Sequence, residues 1–565
     1  MYKRQGENAR IHPDVQFDQY DLITIGDHVT LDKCVIRPMG LDAGVMFFSQ
    51  ITIGNNCSIG IKSIIAPGAC VQANTHLGPL SSSYEVDECS DVKNKKYNRM
   101  NIPQPSPTIL YLLGYPLLYF CVALSYIPWL LVVREICITS VNENWNMTDM
   151  DTVSDVIDWW TRPHRVAFFY VSCVAKLCVA PVIQLFLLII VKRNILGKFK
   201  ECSEAEFMSD WNRFRYWYMS KSLPNAMKAV KCTGTHYNCI SWIYRALGAK
   251  VGEGIYWPGS GLDIIEFDLL EVGDDVVFGS RSVILTSTTS YSKRVQIEAG
   301  CMVADRCVLL PGVCVRRGSV LGSGCLGCEN TDYGGGSVYV GSVANAPVQV
   351  SGVDLSYATK ENTRSPFGIA FYDRKATGYF VVPQSMILLG STFWACVCAI
   401  YSRMGVITSI FILKYYLKIS PYLFDDGILL FASCFLTCVI TITVLNLLAL
   451  SIDILSKWMI IGKRKPGEYS WDHSSYCQRW QLHLTIQNIR RYGLHDSCLL
   501  DLFQGTYYLV LYFKCLGGTI GEDVCLYPNG GDPMMTEPDL VQIGNYVSVD
   551  DASLIAHFNT RGRFR

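Results

Sequence analysis

Between Ile297 and Leu321 an aliphatic residue recurs at every sixth position: Ile297, Val303, Leu309, Val315 and Leu321. A small or aliphatic residue follows each of them four positions later. A hexapeptide period of this kind predicts a parallel β-helix. Each hexad supplies one short strand and one tight turn, and three hexads complete a triangular coil. The aliphatic residue points inward and stacks on its counterparts in neighbouring coils. Ile53, Ile59, Ile65, Val71 and Leu77 repeat the pattern near the start. The turn chemistry recurs as well, since Ile65-Ala-Pro-Gly matches Leu309-Leu-Pro-Gly. Pro fixes φ there and Gly accepts positive φ. A third run begins at Ile543 and continues at Val549. Residues 37–50 break the phase and predict a loop thrown out of the coil.

The hexad runs alternate with long apolar stretches. Thr108–Val133 and Val166–Val191 are each long enough to cross a bilayer, which takes about 20 residues. Lys176 is the charged residue inside the second stretch. Tyr379–Ile400 and Gly427–Leu450 form a second pair. Residues 404–420 are apolar but carry Lys414 and Lys418. They read as a re-entrant or interfacial helix, or as the continuation of the third span. Basic residues collect beside the hexad runs: Lys192, Arg193, Lys198 and Lys200 after the second span, and Lys457, Lys463, Arg464 and Lys465 after the fourth. The positive-inside rule therefore predicts a multi-pass integral membrane protein with its β-helices on the cytoplasmic side. Asn146-Met-Thr148, a glycosylation triplet, falls on the opposite side.

A longer repeat then emerges. Leu247-Gly248-Ala-Lys-Val251-Gly252 matches Leu516-Gly517-Gly-Thr-Ile520-Gly521. Asp268-Leu-Leu-Glu-Val272-Gly273 matches Asp539-Leu-Val-Gln-Ile543-Gly544, and Asp21-Leu-Ile-Thr-Ile25-Gly26 is a third member. The expected architecture is mainly β plus transmembrane α: tandem left-handed parallel β-helices alternating with pairs of membrane helices. The β-helices cover 1–80, 251–330 and 516–565. Linkers cover 81–107 and 331–378, and helix pairs 108–191 and 379–456. Amphipathic helical segments cover 192–250 and 457–515. Both ends fall inside a unit, so the sequence reads as a piece of a longer chain. In the amphipathic segments Trp211, Arg213, Arg215 and Trp217, and later Arg479, Trp480, Arg490 and Arg491, read as interfacial anchors whose Arg side chains snorkel.

Composition narrows the function. Half of the residues are hydrophobic and the formal net charge is zero. With no basic tail or sustained basic run, nucleic acid is an unsuitable partner. The 24 cysteines show no regular metal spacing. Cys325-Leu-Gly-Cys328 is a lone C-x-x-C at the end of a hexad run, and such thiols read as small buried side chains in a reducing compartment.

Left-handed β-helix proteins are most often acyltransferases with a His as general base, a fold-level analogy. Such a base takes a proton from an amine or hydroxyl acceptor attacking a thioester. His12, His28, His76, His164, His236, His473, His483 and His495 read as structural or solvated. His557 differs because it lies in Ser553-Leu-Ile-Ala-His557-Phe-Asn-Thr-Arg561, where the hexads break and a loop leaves the coil. The matching position in the middle run is Thr286, and Arg37-Pro38 in the first. Asp539 is a second candidate, although its recurrence as Asp21 and Asp268 also fits a structural role satisfying turn amides. Lys176, an intramembrane charge, suggests either function or snorkelling.

These entries, leads and interleaved helix pairs resemble the C-terminal region of membrane-bound non-ribosomal peptide synthetases typified by ε-poly-lysine synthetase. In that family an adenylation and a carrier domain precede three tandem β-helix-like domains separated by membrane helices. The resemblance implies amide-bond formation, with His557 and Arg561 matching the family's His and Arg. Asn559 and Thr560 replace its acidic residues. The resulting expectation is a membrane-anchored acyltransferase-like region. It condenses acyl or aminoacyl groups delivered by a carrier domain as a phosphopantetheine or CoA thioester, with His557, Arg561 and Asp539 as catalytic residues. No cofactor is expected to be bound covalently to this chain, and the β-helix faces offer surfaces for an oligomer. The alternatives are a non-catalytic scaffold holding a partner synthetase at the membrane, and a transporter using the four spans and Lys176.

Overall fold

The computed structural model describes residues 5–17, 19–42, 45–83, 104–142, 153–203, 209–288, 291–343, 346–350, 382–420, 427–492, 499–528, 534–550, 552–560 and 563–564, with the single residues 102, 206 and 367.

Three stacks of short parallel strands follow the hexad period. In the first, Ile25 pairs with Ile53 and Ile53 with Val71, while Leu31, Ile59 and Leu77 form a second row. In the second, Ile297, Val315 and Tyr333 form one row and Val303, Leu321 and Tyr339 another. Leu309 pairs with Gly327 in a third. The third stack is shorter: Ile520 pairs with Ile543, Leu526 with Val549 and Met535 with Leu554. From Ile297 onward in the second stack, register partners stand three hexads apart because one coil returns the chain to the same face. Val303, Leu309, Val315 and Leu321 are completely buried. Burying such a side chain contributes roughly 1.5–3 kcal/mol. This parallel, stacked arrangement fits a β-helix.

Two turns need glycine. Gly68 and Gly312 follow prolines and adopt φ of +78° and +80°, a region that a Cβ disfavours. Cys301, Cys307 and Cys325 fill small inward positions among the coils. Burial pushes the Cys301 thiol up to about 11 and that of Cys307 up to about 12. Cys328 is half-buried beside this row. Residues 37–50 do leave the first coil, as an antiparallel hairpin pairing Met39–Asp42 with Val45–Phe48.

Among the described residues, four helices are long and apolar enough to cross a membrane: Pro107–Ser125, Pro163–Leu196, Gln384–Tyr416 and Gly427–Ile461. One boundary differs from the sequence expectation. The stretch Thr108–Val133 is interrupted at Tyr126, and a new helix runs over Ile127–Asn142. Of the two readings open for residues 404–420, the structure bears out the continuation of the third span, since Gln384–Ile419 is one helix. The glycosylation triplet at Asn146 lies outside the described residues.

The second and fourth of these helices end alike. Each closes on a widened turn, Lys192–Leu196 or Lys457–Ile461. There the N–H of Gly197 donates to the Lys192 carbonyl at 2.9 Å, and that of Gly462 to Lys457 at 3.1 Å. The chain then enters helices Asp210–Ala226 and Ser475–Gln487. The former packs on Ala180–Val191 and the latter on Gly427–Ser456. These contacts bring the helices against the strand stacks.

Candidate active site

Glu537 sits between strand Met534–Met535 and the short 3₁₀ turn Pro538–Leu540. Its side chain is fully buried and its carboxylate gathers four donors. Trp480 Nε1 donates to Oε1 at 2.9 Å, and His557 Nδ1 lies 3.0 Å from the same oxygen. The Ala556 N–H donates to Oε2 at 3.2 Å, and the Thr536 hydroxyl donates there too. Burial alone raises a carboxyl. Here the charge and hydrogen bond of His557, the Thr536 hydroxyl and the Arg464 charge outweigh it, and the acid is held down to about 2. An ionised Glu537 keeps the His557 proton on Nδ1, so Nε2 is the nitrogen that accepts a proton.

His557, Phe558 and Asn559 line a cavity of about 430 Å³. One wall comes from the second strand stack, with Tyr256, Val277 and Met302. Another comes from the third, with Met534 and Met535, and the Ser475–Gln487 helix supplies Trp480 and Gln481. The lining mixes apolar side chains with polar and charged ones, Arg281, Asp305 and Arg490 among them, and so suits a small organic ligand that carries polar groups.

A second imidazole faces this space. His236 Nδ1 lies 2.7 Å from the Trp257 carbonyl oxygen, which only accepts, so Nδ1 carries the proton. The His236 ring stacks on Tyr256 at 4.9 Å. Trp480 stands beside both imidazoles, with ring centroids 6.5 Å from His236 and 5.0 Å from His557. Burial pushes His236 down to about 4, against the Trp257 hydrogen bond and with help from the nearby His557. His236 is thus neutral near pH 7, with Nε2 as its acceptor. The sequence reading placed it among structural or solvated histidines. The fold makes it a cavity wall.

Asp539, also expected at the site, is held by other partners. Its Oδ2 is 3.0 Å from Lys457 Nζ and its Oδ1 2.7 Å from Arg464 Nη1, and the Arg464 N–H donates to Oδ2 at 2.8 Å. Asp539 is not among the described residues lining the cavity. Asp268 is placed in the same way, 2.5 Å from Lys192 and accepting the Phe199 N–H at 2.9 Å. Lys192 and Lys457, counted from sequence among the basic residues that follow the second and fourth spans, are buried partners of these carboxylates. Arg561 and His495 lie outside the described residues. Asn559 accepts a hydrogen bond from Trp471 Nε1 at 2.8 Å and is buried, which gives it a packing role.

Two further expectations are corrected. Trp480 is no interfacial anchor: it is buried and its N–H is spent on Glu537. Arg490 does not snorkel but pairs with Asp453 at 3.1 Å and donates to the Tyr512 hydroxyl. The match of His557 to Thr286 shifts by one residue. His557 stands three residues after the inward Leu554, and Ser287 stands three after the inward Ile284. The hydroxyls of Thr286 (2.7 Å) and Ser287 both donate to Glu266 Oε2. Glu266 thus occupies the place of Glu537 with hydroxyls where the third stack has an imidazole. The sequence carried a signal for Glu537. Glu266 and Glu537 each precede the recurring Asp by two positions, and Gln19 stands there in the first run.

No family model matches the chain. UDP-3-O-acylglucosamine N-acyltransferase 1 of Sulfurimonas denitrificans is 28% identical over 75 residues, 13% of this chain. The match spans 24% of that protein's length.

Proposed function

We propose that this chain is a membrane-anchored acyltransferase in which the Glu537–His557 pair serves as the general base. The carrying observation is the 3.0 Å contact between Glu537 Oε1 and His557 Nδ1, with His557 at the wall of the cavity. An amine or hydroxyl acceptor attacks the carbonyl of a thioester donor. His557 Nε2 takes the acceptor's proton as the new C–N or C–O bond forms. When the C–S bond breaks, the imidazolium returns that proton to the departing thiolate. Glu537 stabilises the imidazolium and keeps the ring oriented, without itself taking the proton. The limited likeness to a named N-acyltransferase and the parallel strand stacks support this class.

Within this reading the donor is an acyl or aminoacyl phosphopantetheine or CoA thioester brought by a carrier domain. The sequence resemblance to membrane-bound peptide synthetases supports that context, together with three similar β-helices alternating with helix pairs. The second β-helix is then non-catalytic, because Thr286 and Ser287 cannot act as bases near neutral pH. The four apolar helices cross the bilayer as two pairs, with the β-helices on the cytoplasmic side. Arg561 and Asp539 remain candidates for activity, the first four positions after His557 in the sequence and the second as a buried support.

The test uses the full chain in detergent with an aminoacyl-pantetheine thioester and a primary amine, following thiol release. His557→Ala should lower turnover about 10²–10⁴-fold, the usual contribution of a positioned base. Thr286→Ala should change it little. Full turnover by a folded His557→Ala variant sinks the proposal and leaves the scaffold reading.

A further inference from the structure

His236 lines the same cavity as His557, from the short connection between helices Val230–Thr233 and Asn238–Leu247. Its place is fixed from several sides. The ring Nδ1 donates to the Trp257 carbonyl at 2.7 Å, and the Trp257 N–H donates back to the His236 carbonyl at 3.4 Å. Trp257 is itself completely buried, with its indole N–H donated to Ser241 Oγ at 2.8 Å. Stacking on Tyr256, 4.9 Å between centroids, holds the plane of the imidazole. Such a ring is oriented before any ligand arrives.

This clamp spends Nδ1 and leaves Nε2 with its lone pair. Burial keeps the ring neutral near pH 7. Room at Nε2 depends on Gly259, which also lines the cavity: a Cβ there would stand 3.2 Å from Nε2 and 3.1 Å from Cε1. A neutral ring of this tautomer does not donate at Nε2, so it offers nothing to a carboxylate or to a developing oxyanion. It matches an N–H or an O–H of a ligand.

Resting on the acyl-transfer reading above, we infer that His236 selects a primary amine as acceptor, its Nε2 accepting one N–H of the attacking nitrogen while His557 takes the other. A primary amine in its neutral, nucleophilic form carries two hydrogens on that nitrogen. One passes to His557 Nε2 as the C–N bond forms, and then to the departing thiolate as the C–S bond breaks. The second stays on nitrogen and becomes the amide N–H, so the bond to His236 lasts from the bound amine to the product. An alcohol or a secondary amine carries one hydrogen, which His557 removes, and His236 is left unmatched. A site that relies on a hydrogen bond to its substrate rejects the analogue that lacks it.

The full chain in detergent is given an aminoacyl-pantetheine thioester and, in separate series, butylamine, N-methylbutylamine or butanol, with thiol release followed. The wild type should prefer butylamine. His236→Phe should lower kcat/KM for butylamine about tenfold, the loss of one hydrogen bond, and should change the other two values little. His236→Gln, which keeps an acceptor oxygen, should recover part of the loss. Gly259→Ala, which crowds Nε2, should move the preference in the same direction, and it is read alone if His236→Phe fails to fold. Equal use of the three acceptors by the wild type, equal losses with all three, or an unchanged preference in the folded variants overturns the inference and leaves the His557 chemistry standing. No transfer by the wild type, or full turnover by a folded His557→Ala variant, instead overturns the acyl-transfer reading and this inference with it.

Discussion

Lys457 Nζ stands 3.0 Å from Asp539 Oδ2, with both side chains 1% exposed. Lys457 begins the last turn of a membrane-length helix, and Asp539 lies at the entry to a strand stack. The pair therefore joins two elements that are far apart in sequence. Lys192 and Asp268 make the same link for the second stack. Removing one member of such a pair leaves a buried charge without its partner.

Asp539→Asn should accordingly cost about 3–5 kcal/mol. Thermal unfolding in detergent measures it, and Asp268→Asn should behave alike. Lys192→Met with Asp268→Leu should recover part of the loss at that pair, whereas Asp539→Leu would still leave Arg464 without its carboxylate. An Asp539→Asn protein as stable as the wild type would show that the pair contributes nothing.

Glu537→Gln separates orientation from basicity. The amide no longer stabilises the imidazolium and presents Nδ1 with a weaker, reversible partner. Turnover should fall about 10²–10⁴-fold, and combining the change with His557→Ala should add little. Additive losses would mean that the two residues act apart.

Trp480→Phe keeps a ring beside both histidines and deletes the N–H donated to Glu537. A buried carboxylate short of one donor costs about 1–3 kcal/mol. The loss should be visible as a lower unfolding temperature, with a smaller effect in a Glu537→Gln background. Equal losses in both backgrounds would discount the Trp480–Glu537 bond.

Acid should destabilise the fold in two stages. His236 and His483 are both pushed down to about 4, chiefly by burial. Their unfolded counterparts titrate near 6.5. As pH falls from about 6.5 to about 4 the unfolded chain gains protons that the folded chain refuses, so stability drops through that window. Glu537 acts lower: its stabilisation is complete above the unfolded carboxyl value and is lost as pH falls towards about 2. His483→Gln should flatten the upper stage in a pH series of unfolding temperatures. A flat wild-type profile between pH 4 and 6.5 would contradict the neutral burial of both rings.

Val303→Asp tests the coil register directly. Val303 is completely buried in the row with Leu321, so a carboxylate there costs several kcal/mol unless the coil opens. Residues 272–325 should become protease-sensitive. An unchanged digestion pattern would place Val303 outside the core.

The hexad period by itself determined the stacked strands, their register and the buried rows at Val303, Ile53 and Val71. Each of these depends on spacing along the chain, which a sequence displays. Apolar length marked the four long helices, and the phase break marked the hairpin at Met39–Phe48. His557 was legible because it stands where a loop leaves the coil. Its partner Glu537 was legible only as a Glu two positions before a recurring Asp, a weak sign that gives no distance. The tertiary structure decided the rest. Whether Lys457 is a solvated flank or half of a buried pair depends on what folds against it. The same holds for Trp480, which an amphipathic segment offers equally to a membrane interface or to a carboxylate. The cavity itself joins His236, Trp480 and His557, three residues from different elements. No local pattern encodes that meeting, because it is set by how the second and third strand stacks pack across the helix between them.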